Sequence, residues 1–415
     1  MLVTRRQVIK TCALAVPAFA MMPAIFRRGV AASLGESRAS PAASNKRTLI
    51  LVQMAGGNDG LNAVVPYSDG RYYDARPNIA IPQNQVLTLN DKIGLHPGLA
   101  KFKALWDEGV LGIVQGVGYP NPNYSHFSSM HIWETADPEE KLKDGWLGRY
   151  FQQLDKTHDD LLQGLAVGSV VPPEMYSSAV SVPILQSVDL YKIQGDPSRP
   201  EAVKARTDAL VRLYDASPKQ TPYSVLLDNT LEAFNKSVKA LRQANAAYKP
   251  AVIYPNTYLG KGLSLLAEAI VGDLGIKVGH IMLGGFDTHD NEARDLDRLY
   301  PMLSEAIYAF YQDLRAQGKD KEVVIMTWSE FGRRVKSNAS DGTDHGSAAP
   351  TFIIGTPVKK GLYGEMPNLG NLDNGNLRYA VDFRCVYSTD LNRWLDAPAK
   401  LLLGNKEFEQ IPFLA

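Results

Sequence analysis

Four short apolar runs, each abutting a cluster of oxygen- and imidazole-bearing side chains, constrain the fold of this chain more than any other feature. Gly56-Gly57-Asn58-Asp59 follows the run Thr48 to Met54, and Asp287-Thr288-His289 follows Val278 to Leu283. Ser329-Glu330 closes Val323 to Trp328, while Asp344-His345 directly precedes Ala348 to Ile354. Such runs read as strands buried on both faces, the pattern of a parallel sheet covered by helices. In an open α/β sheet the crevice at the carboxyl ends of the strands is where ligands bind, so side chains from distant parts of the sequence converge there. Asp, Glu and His are also the residues that offer oxygen and imidazole nitrogen to a divalent cation. The sequence therefore predicts a metal site on a sheet edge.

The intervening segments keep the same rhythm. Gly98 to Glu108 reads as a helix and Val110 to Val117 as a strand, which with Thr48 to Met54 gives strand, helix, strand. Ser125 to Glu134 and Gly145 to Leu154 read as helices, and Leu165 to Ile193, rich in Val, Ser and Pro, as a strand followed by an irregular excursion. Pro200 to Tyr248 contains no glycine and carries Ala, Leu, Lys and Arg at helical spacing. It forms either a helical cap, at about residues 195–250, or ordinary packing helices. Leu263 to Asp273 is helical, and Leu299 to Gln317 is an amphipathic helix stopped by Gly318. The expected fold is α/β, a mostly parallel sheet sandwiched by helices, over residues 47–415.

The first residues read as targeting rather than fold. Thr4-Arg5-Arg6-Gln7-Val8-Ile9-Lys10 looks like a twin-arginine export signal, followed by apolar Thr11 to Phe26 and the small-residue exit Val30-Ala31-Ala32. Cleavage is expected after Ala32, with a flexible Ser/Ala-rich leader over 33–46. The apolar stretch holds two prolines and falls short of the roughly 20 residues of a spanning helix, so no stable membrane anchor is expected. The expected partner is the twin-arginine export machinery, and the expected location is periplasmic or otherwise exported. Removing residues 1–32 takes five of the 44 Lys and Arg and none of the 44 Asp and Glu, leaving 39 positive against 44 negative charges. That mildly acidic balance does not support nucleic-acid binding. Cys12 leaves with the signal, so the single remaining Cys385 forms no internal disulfide.

Several motifs, taken together, resemble the exported bacterial family of unknown function numbered 1501. They are Gln53 to Asn62, Ser125-His126-Phe127, Gly284 to His289, Ser329 to Arg334 and Gly342 to Gly346. The resemblance runs from about Leu49 to Trp394 and implies kinship with the alkaline phosphatase and sulfatase superfamily. It thereby implies an alkaline-phosphatase-like sheet, two metals at the strand ends, and a nucleophile at a helix start. On that resemblance Asp59, or Asn58, stands where the first strand supplies an aspartate, Asp287 and His289 where an Asp and a His serve the other metal, and His345 where the last histidine ligand falls. Glu330 stands where an Asp-His pair is expected, but Phe331 occupies the place of the histidine. Asp287 and His289 are also one residue apart rather than more widely spaced.

Each candidate has a plain structural alternative. Asp344-His345 is either a metal or catalytic pair or a loop carboxylate orienting a histidine. Asp287-Thr288-His289 also fits a helix N-cap, and Gly56-Gly57-Asn58-Asp59 also fits a simple turn. Ser125 sits where orphan N–H groups would favour an anionic oxygen, or is a capping serine, with Ser128 and Ser129 as competitors. His126 and His131 face the same crevice or are hydrogen-bonded core groups. Arg333 and Arg334 clamp an oxyanion or only cap the following loop.

Two functions follow as expectations. In the first, Asp287, His289 and His345 hold a divalent cation (Zn, Mn, Mg or Ca), with Asp59, Glu330 and Asp344 as further ligands. Ser125 would be the nucleophile and Arg333 an oxyanion clamp toward a small anionic phosphate or sulfate ester. In the second, the same fold serves a non-catalytic binding or assembly role at the cell envelope.

Overall fold

The computed structural model describes residues 46–154, 162–180, 182–185 and 237–414, together with Glu201, Ala205 and Ala209. The strands are β1 (Thr48–Ala55), β2 (Val64–Val65), β3 (Leu87–Thr88), β4 (Gly94–Leu95), β5 (Leu111–Gly118) and β6 (Gly164–Val167). They continue with β7 (Ile184–Leu185), β8 (Val278–Gly284), β9 (Val323–Trp328), β10 (Ala349–Ile354), β11 (Gly361–Tyr363) and β12 (Val381–Asp382). The helices that matter below are α1 (Gly60–Ala63), α2 (Ala100–Asp107), α3 (His126–Thr135), α4 (Trp146–Gln153), α5 (Tyr258–Val271), α6 (Glu292–Ala316) and α7 (Phe383–Thr389).

The main sheet runs β11-β5-β10-β9-β1-β8-β6-β7, with β12 also on β5, and β2, β4 and β3 form a small sheet of their own. β1 is its centre, parallel to β8 on one side and β9 on the other. Its residues alternate between two cores because successive side chains of a strand point to opposite faces. Ile50, Val52 and Met54 enter a core with Leu263 and Leu266 of α5 and Leu303, Ile307 and Phe310 of α6. Leu49 and Leu51 enter the other, with Trp133 of α3, Trp146 and Tyr150 of α4, and Tyr387 of α7. Covered on both faces, β1 has no use for polar alternation, which is why its sequence is a continuous apolar run.

The expected architecture is present: a mostly parallel sheet sandwiched by helices. β10 is the exception, antiparallel to both β5 and β9. That reversal positions the site. In the parallel strands β1, β8 and β9 the trailing residues lie at the carboxyl edge, and in β10 it is the leading residues that reach the same edge. Asp344 and His345, which precede a strand, thus join Asp287 and His289, which follow one.

Helix α6 starts two turns before the expected Leu299 and carries Pro301 inside it. Its first turns are polar, with Leu296 as their buried aliphatic residue, so the apolar periodicity starts later than the helix. Most of the expected cap lies outside the described residues; residues 237–247 at its end are helical. The expected signal and leader also lie outside, apart from Lys46. Among the described residues no helix is long and apolar enough to cross a membrane.

Candidate metal centre

Backbone contacts between loops assemble the sheet edge before any side chain is considered. The Phe286 amide donates to the Ala55 carbonyl at 3.1 Å, Thr343 to Thr288 at 3.1 Å, Gly346 to Gly332 at 2.8 Å and Arg334 to Asp344 at 3.0 Å. These approaches are close enough to demand glycine. Gly56 has φ +124°, and a Cβ built there would lie 2.3 Å from the Asp287 nitrogen.

On this frame His126, Asp287 and His345 present ligand atoms that all lie within 4.8 Å of one another, the one such group among the described residues. His289 joins them, its Nε2 being 2.9 Å from His345 Nε2 and 3.1 Å from Asp287 Oδ1. His345 Nε2 is itself 3.2 Å from Asp287 Oδ1.

The outward nitrogens of the three rings explain what the inward ones offer. His126 Nδ1 meets Glu330 Oε1 at 2.7 Å, and His345 Nδ1 meets the Tyr124 carbonyl at 2.7 Å. His289 Nδ1 faces Asp344 Oδ1 at 3.5 Å. The partners of His126 and His345 are acceptors, so an Nδ1–H donated outward by either ring in its neutral form leaves a lone pair inward at Nε2. His126 Nε2 lies 3.4 Å from Asp287 Oδ2, buried and without a hydrogen-bond partner. Three Nε2 atoms and a carboxylate converge on one point, an arrangement that a shared cation would hold together. The residues fit a metal ion, and the outer carboxylates Glu330 and Asp344 occupy the orienting positions usual behind metal-bound histidines.

Asp287 stays ionised at this edge. Burial opposes its charge, but the hydrogen bond and charge of Arg333 outweigh that and hold the carboxyl down at about 2. Arg333 Nη2 reaches Asp287 Oδ1 at 2.6 Å. Its other bonds go to the carbonyls of Gly57, Thr343, Phe286 and Gly56.

The sequence candidates divide accordingly. Asp287, His289 and His345 are brought together. Glu330 is not turned to the centre: fully buried, it accepts from the Gly56 amide at 2.9 Å and holds His126. Asp344 stands behind His289. Asp59 points away, N-capping α1 through the Leu61 amide and forming a buried two-pronged ion pair with Arg76. Arg333 is buried rather than exposed to an oxyanion, and Arg334 bonds the Asn374 carbonyl at the surface. The N-cap of α6 is Asn291, so Asp287-Thr288-His289 is not a helix cap.

Ser125 occupies the N-cap position of α3 and is exposed, yet its side chain makes no capping hydrogen bond. It lies between Tyr124, whose carbonyl anchors His345, and His126. Ser129 is buried and bonded to Tyr119 and the Glu330 carbonyl. His131 is not part of the group.

The candidate ligand that sequence reasoning left undecided is His126. Phe331 stands where a histidine was expected, and its ring packs 4.9 Å from His126 and 4.6 Å from His345. The imidazole comes instead from the start of α3, and Phe331 forms an apolar wall. The available signal was position: His126 opens a helix directly after the run that forms β5.

The family described as a protein of unknown function, DUF1501, matches residues 111–383. No curated protein matches the chain. Among solved structures, the PsFucS1 sulfatase from Pseudoalteromonas sp. is 12% identical, with 89% of this chain and 72% of that chain covered at a TM-score of 0.37. The lipoteichoic acid synthase LtaP from Listeria monocytogenes is 10% identical, covering 79% and 68% at 0.32. An alkaline phosphatase superfamily protein from Vibrio parahaemolyticus is 9% identical, covering 79% and 64% at 0.33.

Proposed function

The chain belongs to the DUF1501 family of proteins of unknown function, and we propose that it is an exported, metal-dependent hydrolase of phosphate or sulfate esters. The observation that carries this reading is the convergence of three imidazole nitrogens and one carboxylate beside a serine at a helix start whose side chain makes no capping bond. His126, His289, His345 and Asp287 would hold the cation. Three nitrogens to one oxygen favour zinc or a similar transition ion over manganese, magnesium or calcium. Such an ion would offset charge on the ester oxygens and lower the pKa of a hydroxyl set against it.

Ser125 would be the nucleophile. Its Oγ forms a bond to phosphorus or sulfur while the bond to the ester oxygen breaks, and the proton that Ser125 gives up leaves on the alcohol. Water then cleaves the Ser125 ester, restoring the hydroxyl and releasing phosphate or sulfate. The unbonded amides of the first turn of α3 favour the anionic oxygens of such a group. Arg333 acts behind the site, keeping Asp287 charged.

Export rests on Arg5-Arg6 and the apolar stretch after them. Changing both arginines to Lys should leave the precursor in the cytoplasm, and normal export of that variant would remove this part of the reading.

The catalytic part is tested on aryl phosphate, phosphodiester and aryl sulfate substrates with added zinc or manganese. Ser125→Ala should lower turnover by about 10³-fold or more, with metal content and melting temperature unchanged, while Ser128→Ala behaves as wild type. One observation favours the non-catalytic envelope role: Asp59 and Arg333 are committed to internal bonds, so Asp59 is not free as a second cation ligand nor Arg333 as an oxyanion clamp. Wild-type protein that binds metal but turns over none of these esters would decide for that role.

A further inference from the structure

We propose that Glu292 is a positioning residue for the metal centre, a single buried carboxyl that pins the loop of His289 to the loop of His345. The inference rests on the metal reading of that site and adds how its geometry is held.

Glu292 is the first residue of α6 and is fully buried. Thr288, between Asp287 and His289, donates its hydroxyl to Glu292 Oε2 at 3.0 Å. Thr343, next to Asp344 and two residues before His345, donates to the same oxygen. One atom of one side chain therefore fixes both ligand loops. The loops also meet directly: Asn338 Nδ2 donates to the His289 carbonyl at 2.8 Å, and a Cβ on Gly342 would lie 2.3 Å from the His289 backbone. The other carboxyl oxygen is held from below. Asn62 Nδ2 donates to Oε1 at 3.2 Å, and Arg76 Nη1 lies 3.8 Å from it. Arg76 in turn donates to the carbonyls of Val335 at 2.9 Å and Arg334 at 3.0 Å, on the loop that follows Arg333.

A buried carboxyl is tolerated only where donors surround it, and here the donors are the loops themselves. Moving either loop would strip Glu292 of a partner, so the carboxyl and the threonines hold each other in one arrangement. Metal ligands need that precision, because affinity falls when supporting hydrogen bonds let the donor atoms drift. Glu292 touches neither the cation nor a substrate.

The test uses metal-free protein titrated with Co²⁺, whose visible absorption reports binding, and nitrogen-edited NMR of the histidine rings without metal. The variants are Thr288→Val with Thr343→Val, which keep side-chain shape, Glu292→Gln, which keeps an acceptor oxygen, and Tyr254→Phe, which alters a bond to Asp313 remote from the site. The double threonine variant should bind Co²⁺ about 10- to 100-fold more weakly. Its ring signals of His289 and His345 should shift while that of His280 stays; Glu292→Gln, left with one acceptor oxygen where the carboxyl presents two, should shift the same signals, and Tyr254→Phe should stay close to wild type. Wild-type Co²⁺ affinity with unmoved His289 and His345 signals in the double variant would overturn the proposal. So would an equal loss in Tyr254→Phe. If wild type takes up no Co²⁺, the metal reading fails, and the ring signals alone decide whether Glu292 positions these histidines.

Discussion

The Arg333 guanidinium bonds four backbone carbonyls and a single carboxylate, so its charge is spent on Asp287 and on the turn at Gly56 and Gly57. A depressed carboxyl contributes stability above its unfolded value and loses it only as pH falls through the folded one. With Asp287 held at about 2, that window closes only in strong acid, and the carboxylate is available as a ligand across neutral pH. Glu134, further along α3, shows the opposite sign. Burial first, then the charges of Glu174 and Glu330, push its carboxyl up to about 8. Between its unfolded value near 4.5 and about 8, the folded state keeps a proton that the unfolded chain has lost. Stability therefore falls as pH rises through this window. Glu134→Gln should abolish that slope and be more stable than wild type at pH 8 by up to about 4 kcal/mol, from a shift of this size at ~1.4 kcal/mol per unit. Denaturant unfolding of both proteins at pH 5 to 8 measures it. Parallel stability profiles would show that Glu134 titrates normally.

At the scale of elements, the strands were legible because runs such as Thr48 to Met54 and Val323 to Trp328 are apolar without alternation, as burial on both faces requires. The convergence of Asp287, His289 and His345 was legible for the same reason, since strand ends meet at one edge. The direction of β10 was not in the pattern, because a strand's period is the same whichever way it runs. The fate of Asp59 was hidden as well: a residue that caps α1 turns inward, and its partner Arg76, 17 residues on, has nothing local to mark it. His126 was visible as a histidine but not as a ligand. Its role depends on Phe331 leaving room beside it and on Glu330 taking its other nitrogen, both set by packing between α3 and the end of β9. Arg333 looked like an exposed clamp because arginine favours anions; the carbonyls at Gly56, Gly57 and Phe286 that enclose it are a tertiary feature.

For the whole molecule, the candidate ligand set ties the start of α3 to the loops after β8 and before β10, a span of 219 positions from His126 to His345. The unfolded chain cannot bring His126, Asp287, His289 and His345 to one point without paying the entropy of closing those loops, so a cation binds the native state far better. Binding then stabilises the native state by mass action, about 2.7 kcal/mol when free metal is 100 times its Kd. Wild-type protein stripped of metal should accordingly gain several degrees in melting temperature when zinc is added. Manganese, magnesium and calcium should need much higher concentrations for the same gain, because imidazole nitrogens are poor ligands for hard cations. His126→Ala removes the ring that completes the group and should abolish most of the gain, measured against the variant's own metal-free melting temperature, which is itself lowered because buried Glu330 loses its imidazole partner. Equal responses to all four ions, or an undiminished response in His126→Ala, would mean that metal binds elsewhere. The converging nitrogens and carboxylate at the sheet edge would then need another cation, such as a proton shared among the histidines, to hold them together.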